Sequence, residues 1–393
     1  MVRAAAALPL LLLLSCAPAE KAPPLPAGPD RMVLLPLGFE QLTGWNEDAS
    51  AQVLPALLKS CNRITRLPLD RSMGFDGVGG IASDWYSPCS AAAKVPEGDH
   101  KAARALFESW FTPWQVSNDG RADGLFTGYF EPEIKGSRQR QGRYTQPVFG
   151  KPVDLITVDL GKFRPEPAGE QLVGRLDGNK LVPYPTRAEI ERGALDNKAP
   201  VLAWTDDAVD LAIMQIQGSG RVRLEDGSVL RLGVAGNNGH KFLGIGKILK
   251  DEGKLGSDST MPAIRAWLKD HAEEGRALLA RNPRYIFYGF NTGTDGPLGT
   301  EGVALTPERS LAVDPRFVPL GAPVWLDSVD PAGKPLRRLM VAQDTGAAIK
   351  GPVRGDVFWG AGEAAFLMAG RMKSPGRLVV FLPRARSPRM AER

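Results

Sequence analysis

Cysteine and histidine each occur only three times in 393 residues. That scarcity narrows the chemistry. There is no CxxC pair, no HExxH and no GxxxxGK[ST] loop, so thiol-redox, zinc-protease and phosphate-loop chemistry lack their parts. His100, His240 and His271 are scattered and read as surface or helix residues rather than ligands. No GxSxG elbow marks a serine nucleophile. The GVGG stretch at 77–80 lacks the strand–turn–helix setting of a dinucleotide fingerprint. No run of Lys and Arg interleaved with aromatics points to nucleic acid. The expectation is therefore no metal, no cofactor and no nucleic-acid partner. An internal repeat is missing too.

Apolar runs long enough to cross a bilayer are likewise missing. Ala4–Leu14, behind Arg3, is an apolar run of eleven and fits the h-region of an export signal. It ends in Leu13-Leu14-Ser15-Cys16, which resembles a bacterial lipobox, whose cysteine is cut free and acylated. The competing reading is an ordinary cleaved signal with an incidental cysteine. Residues 1–16 are thus expected to be signal. Residues 17–30, rich in Pro and Ala, suit an extended tether. No acid directly follows Cys16, which favours the outer membrane of a bacterium, facing the periplasm. Cys61 and Cys89 remain, and export permits a disulfide between them; two buried thiols are the alternative.

What the chain does hold is Gly and Pro, 44 and 33 residues, about a fifth of the total against a usual share of roughly 12%. Spread without repetition, they predict many short strands with tight turns. A hydrophobic content of 43% supports a folded protein, and the length favours two domains. The net charge of +5 becomes +4 once Arg3 leaves with the signal. A mildly basic surface would suit an anionic polymer such as a cell wall, although a charge this small is weakly informative.

Val53, Leu54, Leu57 and Leu58 predict a helix over 47–60, ragged at Pro55. Asp99 is placed to cap a helix over about 100–114, with Ala103, Leu106, Phe107, Trp110 and Phe111 as its core stripe. From 122 onward the texture changes to short apolar stretches broken by Gly and Pro. GRVRLEDGSVLRLGVAG reads as a hairpin turning at Glu225-Asp226-Gly227. Helices are expected near 241–252, stopped by Gly253, and over 261–280, with Thr260 as cap and Pro262 in the first turn. Strands return in YIFYGF, GVALTPERSLAVD, PVWLD, RRLMVAQD and DVFWG. A helix near 361–372 and the strand RLVVFLP close the chain. The simple strand–helix alternation of a doubly wound sheet is missing, which points to mainly β barrels with α decoration.

Three acids stand out. Asp314 in SLAVDPRFVPLG, Asp344 in MVAQDTGAAIKG and Asp356 in VRGDVFWG each end or open an apolar strand beside Gly or Pro. Carboxyl groups gathered in a partly apolar groove have their pKa values pushed apart, and one can remain protonated as an acid. Turn capping is the competing reading.

These stretches, with GYFEPEIKGSRQRQGRYTQPVFGKP and MQIQGSGRVRL–GVAGNNGH upstream, resemble the membrane-bound lytic murein transglycosylase A family and its C-terminal three-aspartate (3D) domain. The likeness runs in order from about residue 40 to the end. Where the family often has Gly-Gly, this chain has Ala347-Ala348. The resemblance implies a double-psi β-barrel main domain over 31–130 and 284–393. It also implies a smaller inserted β-barrel-like domain over 131–283, with peptidoglycan glycan strands in the groove between. It implies that Asp344 is the catalytic acid, supported by Asp314 and Asp356.

The implied reaction is non-hydrolytic cleavage of the β-1,4 bond between N-acetylmuramic acid and N-acetylglucosamine. The sugar's C6 hydroxyl attacks to leave a 1,6-anhydro end. One carboxyl then acts as acid and afterwards as base, and intramolecular attack gains much from orientation. Asp344 must then be protonated near neutrality although a free Asp titrates near ~3.9. Burial beside Val341, Ala342 and Ile349, with a negative Asp314 or Asp356, is expected to raise it. Tyr129 and Phe130 are candidates to stack on sugars, with core packing an equal reading. Gln215, Gln217 and Ser219 are candidates to bind hydroxyls and acetamido groups, the two glutamines sharing one strand face. Lys350 is a candidate for a muramyl carboxylate, or a solvated lysine. Competing functions are a two-carboxylate hydrolase, a lipid-anchored wall-binding module without turnover, and an acidic metal site.

Overall fold

The computed structural model describes residues 30–163, 171–195, 197–256, 258–291 and 296–384. The expected signal, Cys16 and all of the tether but Asp30 lie outside the described residues. In chain order the strands are β1 (Met32–Pro36), β2 (Phe111–Asn118), β3 (Gly124–Glu131), β4 (Glu133–Ser137), β5 (Gln146–Phe149) and β6 (Ile156–Asp159). Next come β7 (Gln171–Asp177), β8 (Lys180–Pro183), β9 (Val201–Thr205), β10 (Gly220–Leu224), β11 (Val229–Asn237) and β12 (Ile286–Phe290). The last five are β13 (Ser310–Val313), β14 (Pro323–Val329), β15 (Pro335–Asp344), β16 (Arg354–Ala361) and β17 (Lys373–Pro383).

The molecule is mainly β, with two barrel-like sheets and helices laid around them. In the first sheet, β17-β14-β15-β13-β16-β3 follow one another, and β3 pairs again with β17, closing a ring. This is the expected main barrel; β2 and then β1 extend it from β17. Closure removes the free edges that an open sheet must protect. The ring is mixed in direction: β13 runs parallel to β15, and β16 parallel to β3. The central stretches of its strands β14 to β17 are continuous apolar runs, because both of their faces are covered there. Val324, Leu326, Leu339, Val341, Val357, Leu378 and Phe381 are all completely or nearly completely buried.

The second sheet runs β12-β11-β10-β4-β9-β5, and a bridge from Gly150 to Tyr288 brings its two ends together. The predicted hairpin is β10–β11, with Gly227 in the left-handed region at φ +83° where the turn requires it. The strand β12 lies beyond the boundary at residue 283 yet pairs with β11, so this sheet draws on sequence assigned by resemblance to the other barrel. A third sheet, β6-β7-β8, is a three-stranded meander. Both barrel-like sheets belong to one unit spanning Arg31–Arg393.

Several local expectations are corrected. The helix capped by Asp99, whose carboxylate accepts from Ala102 N–H at 2.8 Å, runs only from His100 to Trp110. Phe111 opens β2 instead, since Thr112 before Pro113 disfavours helix and the proline offers no N–H. The helix expected over 261–280 breaks at His271 into Met261–Asp270 and Ala272–Ala280. Thr260 occupies the cap position, but its hydroxyl makes no cap bond. The helix expected near 241–252 is confined to Ile245–Asp251.

The larger correction is Ala208–Gln217, read from sequence as strand and folded as helix. Asp207 caps it, accepting from Val209 N–H at 2.8 Å and Asp210 N–H at 3.0 Å, and Gly218 ends it at φ +86°. Leu211 and Met214 pack into the second sheet's core, while Val209, Ala212 and Ile213 join the core of the first. The helix is a wedge shared by both barrels, so it is apolar nearly all round and lacks the one-sided period that identifies a surface helix.

Candidate functional site

Register places the acids. Ala312 of β13 pairs with Asp344 of β15 on one side and with Asp356 of β16 on the other; Asp356 in turn pairs with Thr127 of β3. The end of β15 thus carries Asp344 to the rim of the barrel, where the chain leaves the sheet at Thr345. Val341, Ala342 and Ile349 beside it are buried. Asp344 is half-buried and opens onto a groove of about 620 Å³. The other wall of the groove comes from the second sheet, including Gly233, Val234 and Phe290.

Asp344 accepts four hydrogen bonds. Oδ1 takes the backbone N–H of Thr300 at 2.8 Å, the Thr300 hydroxyl at 2.9 Å and the N–H of Thr345 at 2.9 Å. Oδ2 takes the Tyr129 hydroxyl at 3.0 Å. Tyr129 stands on β3 beside its cross-strand partner Phe358, with ring centroids 5.2 Å apart. Burial, then the charges of Asp344 and Asp356, push the Tyr129 hydroxyl well above its ordinary value, so it remains a proton donor.

The two supporting aspartates differ. Asp356 accepts from the Thr127 hydroxyl at 2.7 Å. Burial raises its carboxyl to about 6; the charge of Asp344 adds to that, and Thr127 and Arg354 oppose it. Asp314 is 1% exposed and works as a turn clamp. It accepts from the Arg316 guanidinium at 2.6 Å and from the N–H of Gly351 at 2.9 Å. Burial pushes its carboxyl up, but these donors outweigh burial and hold it below the usual range. With its charge balanced by Arg316, Asp314 is not the unpaired anion expected to act on Asp344. Asp356 is the aspartate that feels the charge of Asp344, which helps to raise its carboxyl.

Among the other sequence candidates, Tyr129, Gln217 and Ser219 line the groove. Gln217 also accepts from Phe130 N–H at 3.2 Å, tying the wedge helix to β3. Gln215 does not face the groove: helical geometry turns it away from Gln217 into the interior, where it is 5% exposed and accepts from Arg187. Phe130 is core, packed on Phe366. Lys350 is exposed and is not part of the groove lining. Cys61 and Cys89 form a disulfide.

Sequence reasoning missed Thr300, Phe290, Asn291 and Leu298, all of which line the groove. Phe290 and Leu298 are 54% and 48% exposed there, an apolar platform open to solvent. The available signal was the long Gly-rich segment between β12 and β13, since long loops without secondary structure are often functional.

The MltA specific insert domain matches residues 125–289, and the 3D domain matches residues 309–382. The membrane-bound lytic murein transglycosylase A of Escherichia coli (strain K12) is 35% identical over 278 residues, 68% of each chain. The crystal structure of MltA from Neisseria gonorrhoeae, in its monoclinic form, superposes with a TM-score of 0.79 at 34% identity, covering 92% of this chain and 97% of that one. E. coli MltA with bound chitohexaose matches with a TM-score of 0.61 at 28% identity, covering 84% of this chain and 90% of that one. On this sequence identity and coverage, the chain belongs to the membrane-bound lytic murein transglycosylase A family of enzymes.

Proposed function

We propose that the groove takes a peptidoglycan glycan strand and that Asp344, acting as the single acid and then base, cleaves it without water. One observation carries the reading: among the described residues lining the groove, Asp344 is the only carboxyl group. A two-carboxylate hydrolase needs a second acid flanking the bond, whereas Asp356 is engaged by the Thr127 hydroxyl and is not part of the groove lining.

Three donors occupy Oδ1, so the reacting proton rides on Oδ2, the oxygen shared with Tyr129. Oδ2 gives that proton to the glycosidic oxygen as the bond to C1 of the muramyl residue breaks. The resulting carboxylate, steadied by Thr300, Thr345 and Tyr129, faces a C1 of oxocarbenium character. It then takes the proton from the C6 hydroxyl as that oxygen bonds to C1, which restores Asp344 and leaves the 1,6-anhydro end. Phe290 and Leu298 offer faces to the sugar rings, while Gln217, Ser219 and Asn291 offer polar groups to hydroxyls and acetamides. The chitohexaose seen in the E. coli relative supports a glycan in this groove.

The working division places 31–130 and 284–393 in the main barrel and 131–283 in the insert, with β12 handed to the second sheet. Attachment to the outer membrane would run through Cys16, in keeping with the membrane-bound relatives. Mass spectrometry of sacculi digested by the full chain tests the reaction. Anhydro ends, lighter by one water than a reducing end, are expected. Reducing ends would replace this reading with hydrolysis. Asp344→Asn is expected to abolish release of soluble fragments, by about a thousandfold, with wall binding intact; undiminished digestion would remove Asp344 from the mechanism.

A further inference from the structure

Glu301 is 2% exposed and has no part in the mechanism above, yet it directly follows the threonine that grips Asp344. Its Oε2 accepts from the Ser60 hydroxyl at 2.7 Å. That hydroxyl accepts in turn from Gln343 Nε2 at 2.8 Å, and the same amide reaches the carbonyl of Ala56 at 2.8 Å. Glu301 N–H donates to the Gln343 carbonyl at 3.1 Å. The residues preceding and following the reactive pair are therefore tied together: Gln343 precedes Asp344, and Glu301 follows Thr300.

The anchor for this chain is the helix Leu54–Ile64. Ala56, Lys59, Ser60 and Arg63 lie at i, i+3, i+4 and i+7, on one helical face. Lys59 Nζ donates to the Ala304 carbonyl at 3.0 Å, so the same face holds both ends of the turn that begins at Thr300. Arg63 stands 3.9 Å from the other Glu301 oxygen, Oε1, which is buried without a hydrogen-bond partner. Cys61, next to Ser60, fastens the helix to Cys89. The turn has no slack: a Cβ on Gly299 would lie 2.4 Å from the Gln343 carbonyl.

We propose that Glu301 is a positioning residue, which through Ser60 and Gln343 locks the Thr300 turn so that both Thr300 donors stay on Asp344. The inference rests on Asp344 being the acid and base. Burial raises the Glu301 carboxyl to about 7, with Ser60, Arg63 and Gln343 opposing, so the group carries a desolvation cost that a merely space-filling residue would avoid. Its substrate contacts are nil, since it does not line the groove. Loss of the lock loosens the donors that hold a proton-transfer group, and misplacement of that kind lowers turnover more than affinity.

The experiment compares steady-state cleavage of glycan strands by the full chain and its Glu301→Ala, Glu301→Gln, Ser60→Ala and Asp344→Asn variants, with circular dichroism of each. Glu301→Ala and Ser60→Ala are expected to lower kcat about tenfold with KM nearly unchanged. Glu301→Gln, which keeps an oxygen for the Ser60 hydroxyl, is expected to stay within about threefold of the parent. Unchanged kcat in Ser60→Ala overturns the proposal even where Glu301→Ala fails to fold. So does a Glu301→Gln variant as slow as Glu301→Ala. If Asp344→Asn remains active, the acid–base assignment falls instead; if it is inactive while Ser60→Ala and Glu301→Ala turn over normally, only the positioning role is lost.

Discussion

The hydroxyl of Tyr129 donates to Oδ2 of Asp344 over 3.0 Å although β16 and β13 lie between their strands. Ring closure of the barrel makes this reach possible, because β3 and β15 curve toward the same rim. Tyr129→Phe removes that donor and preserves the ring's packing on Phe358. A hydrogen bond to a charged group contributes about 1.5–3 kcal/mol, so kcat is expected to fall by between about tenfold and about a hundredfold. Initial rates of fragment release check it, and a parental rate would place the reacting proton elsewhere.

Asp356 makes a pH prediction. Its folded-state pKa of about 6 lies above its ordinary 3.8, so the folded form binds a proton more tightly than the unfolded form. The stability this contributes is complete below pH ~3.8 and is lost as pH rises through about 6. Asp356→Asn removes the cost of the buried charge. It should raise stability at pH 8 by at most about 3 kcal/mol, less where solvent reaches the group, and leave it nearly unchanged near pH 4. Thermal melts of parent and variant across this range give the answer; a gain at pH 4 equal to that at pH 8 would contradict it.

The disulfide between Cys61 and Cys89 closes a loop with a sequence separation of 28. Cys61→Ser with Cys89→Ser is expected to lose about 3–4 kcal/mol in the chain-entropy account. Urea titration of the double variant beside the oxidised parent measures the loss. Equal midpoints would show that the helix Leu54–Ile64 is held by packing alone.

The two glutamines that look equivalent in QIQGSG should separate. Gln215→Ala removes one acceptor from the buried Arg187, which keeps the Arg284 carbonyl and Glu191. It should therefore destabilise the fold by about 1–3 kcal/mol with KM for glycan unchanged. Gln217→Ala, in the groove, should raise KM with a smaller effect on melting. A rise in KM for Gln215→Ala without loss of stability would return that residue to the binding surface.

Much of this protein was legible locally. The β10–β11 hairpin followed from alternation around Glu225-Asp226-Gly227, and the cap at Asp99 from its place before an apolar stripe. Asp344 was legible because an acid at the mouth of an apolar strand is conspicuous, and the resemblance assigned it a role. Asp314 and Asp356 looked alike in sequence, yet one is neutralised by a guanidinium two residues away and the other, half-buried, is hydrogen-bonded to Thr127.

Sequence by itself determined the strand-rich class, the β10–β11 hairpin and the three acids beside apolar strands, all of which depend on neighbours within a few positions. Tertiary structure decided the rest. Ala208–Gln217 became a helix between two cores, a setting that erases the amphipathic period. Thr300 reached Asp344 across 44 residues of sequence, and Ser60 reached Glu301 across 241. Contacts of that separation exist only once the barrel has closed, because closure brings distant backbone together at a cost in chain entropy that no local pattern records.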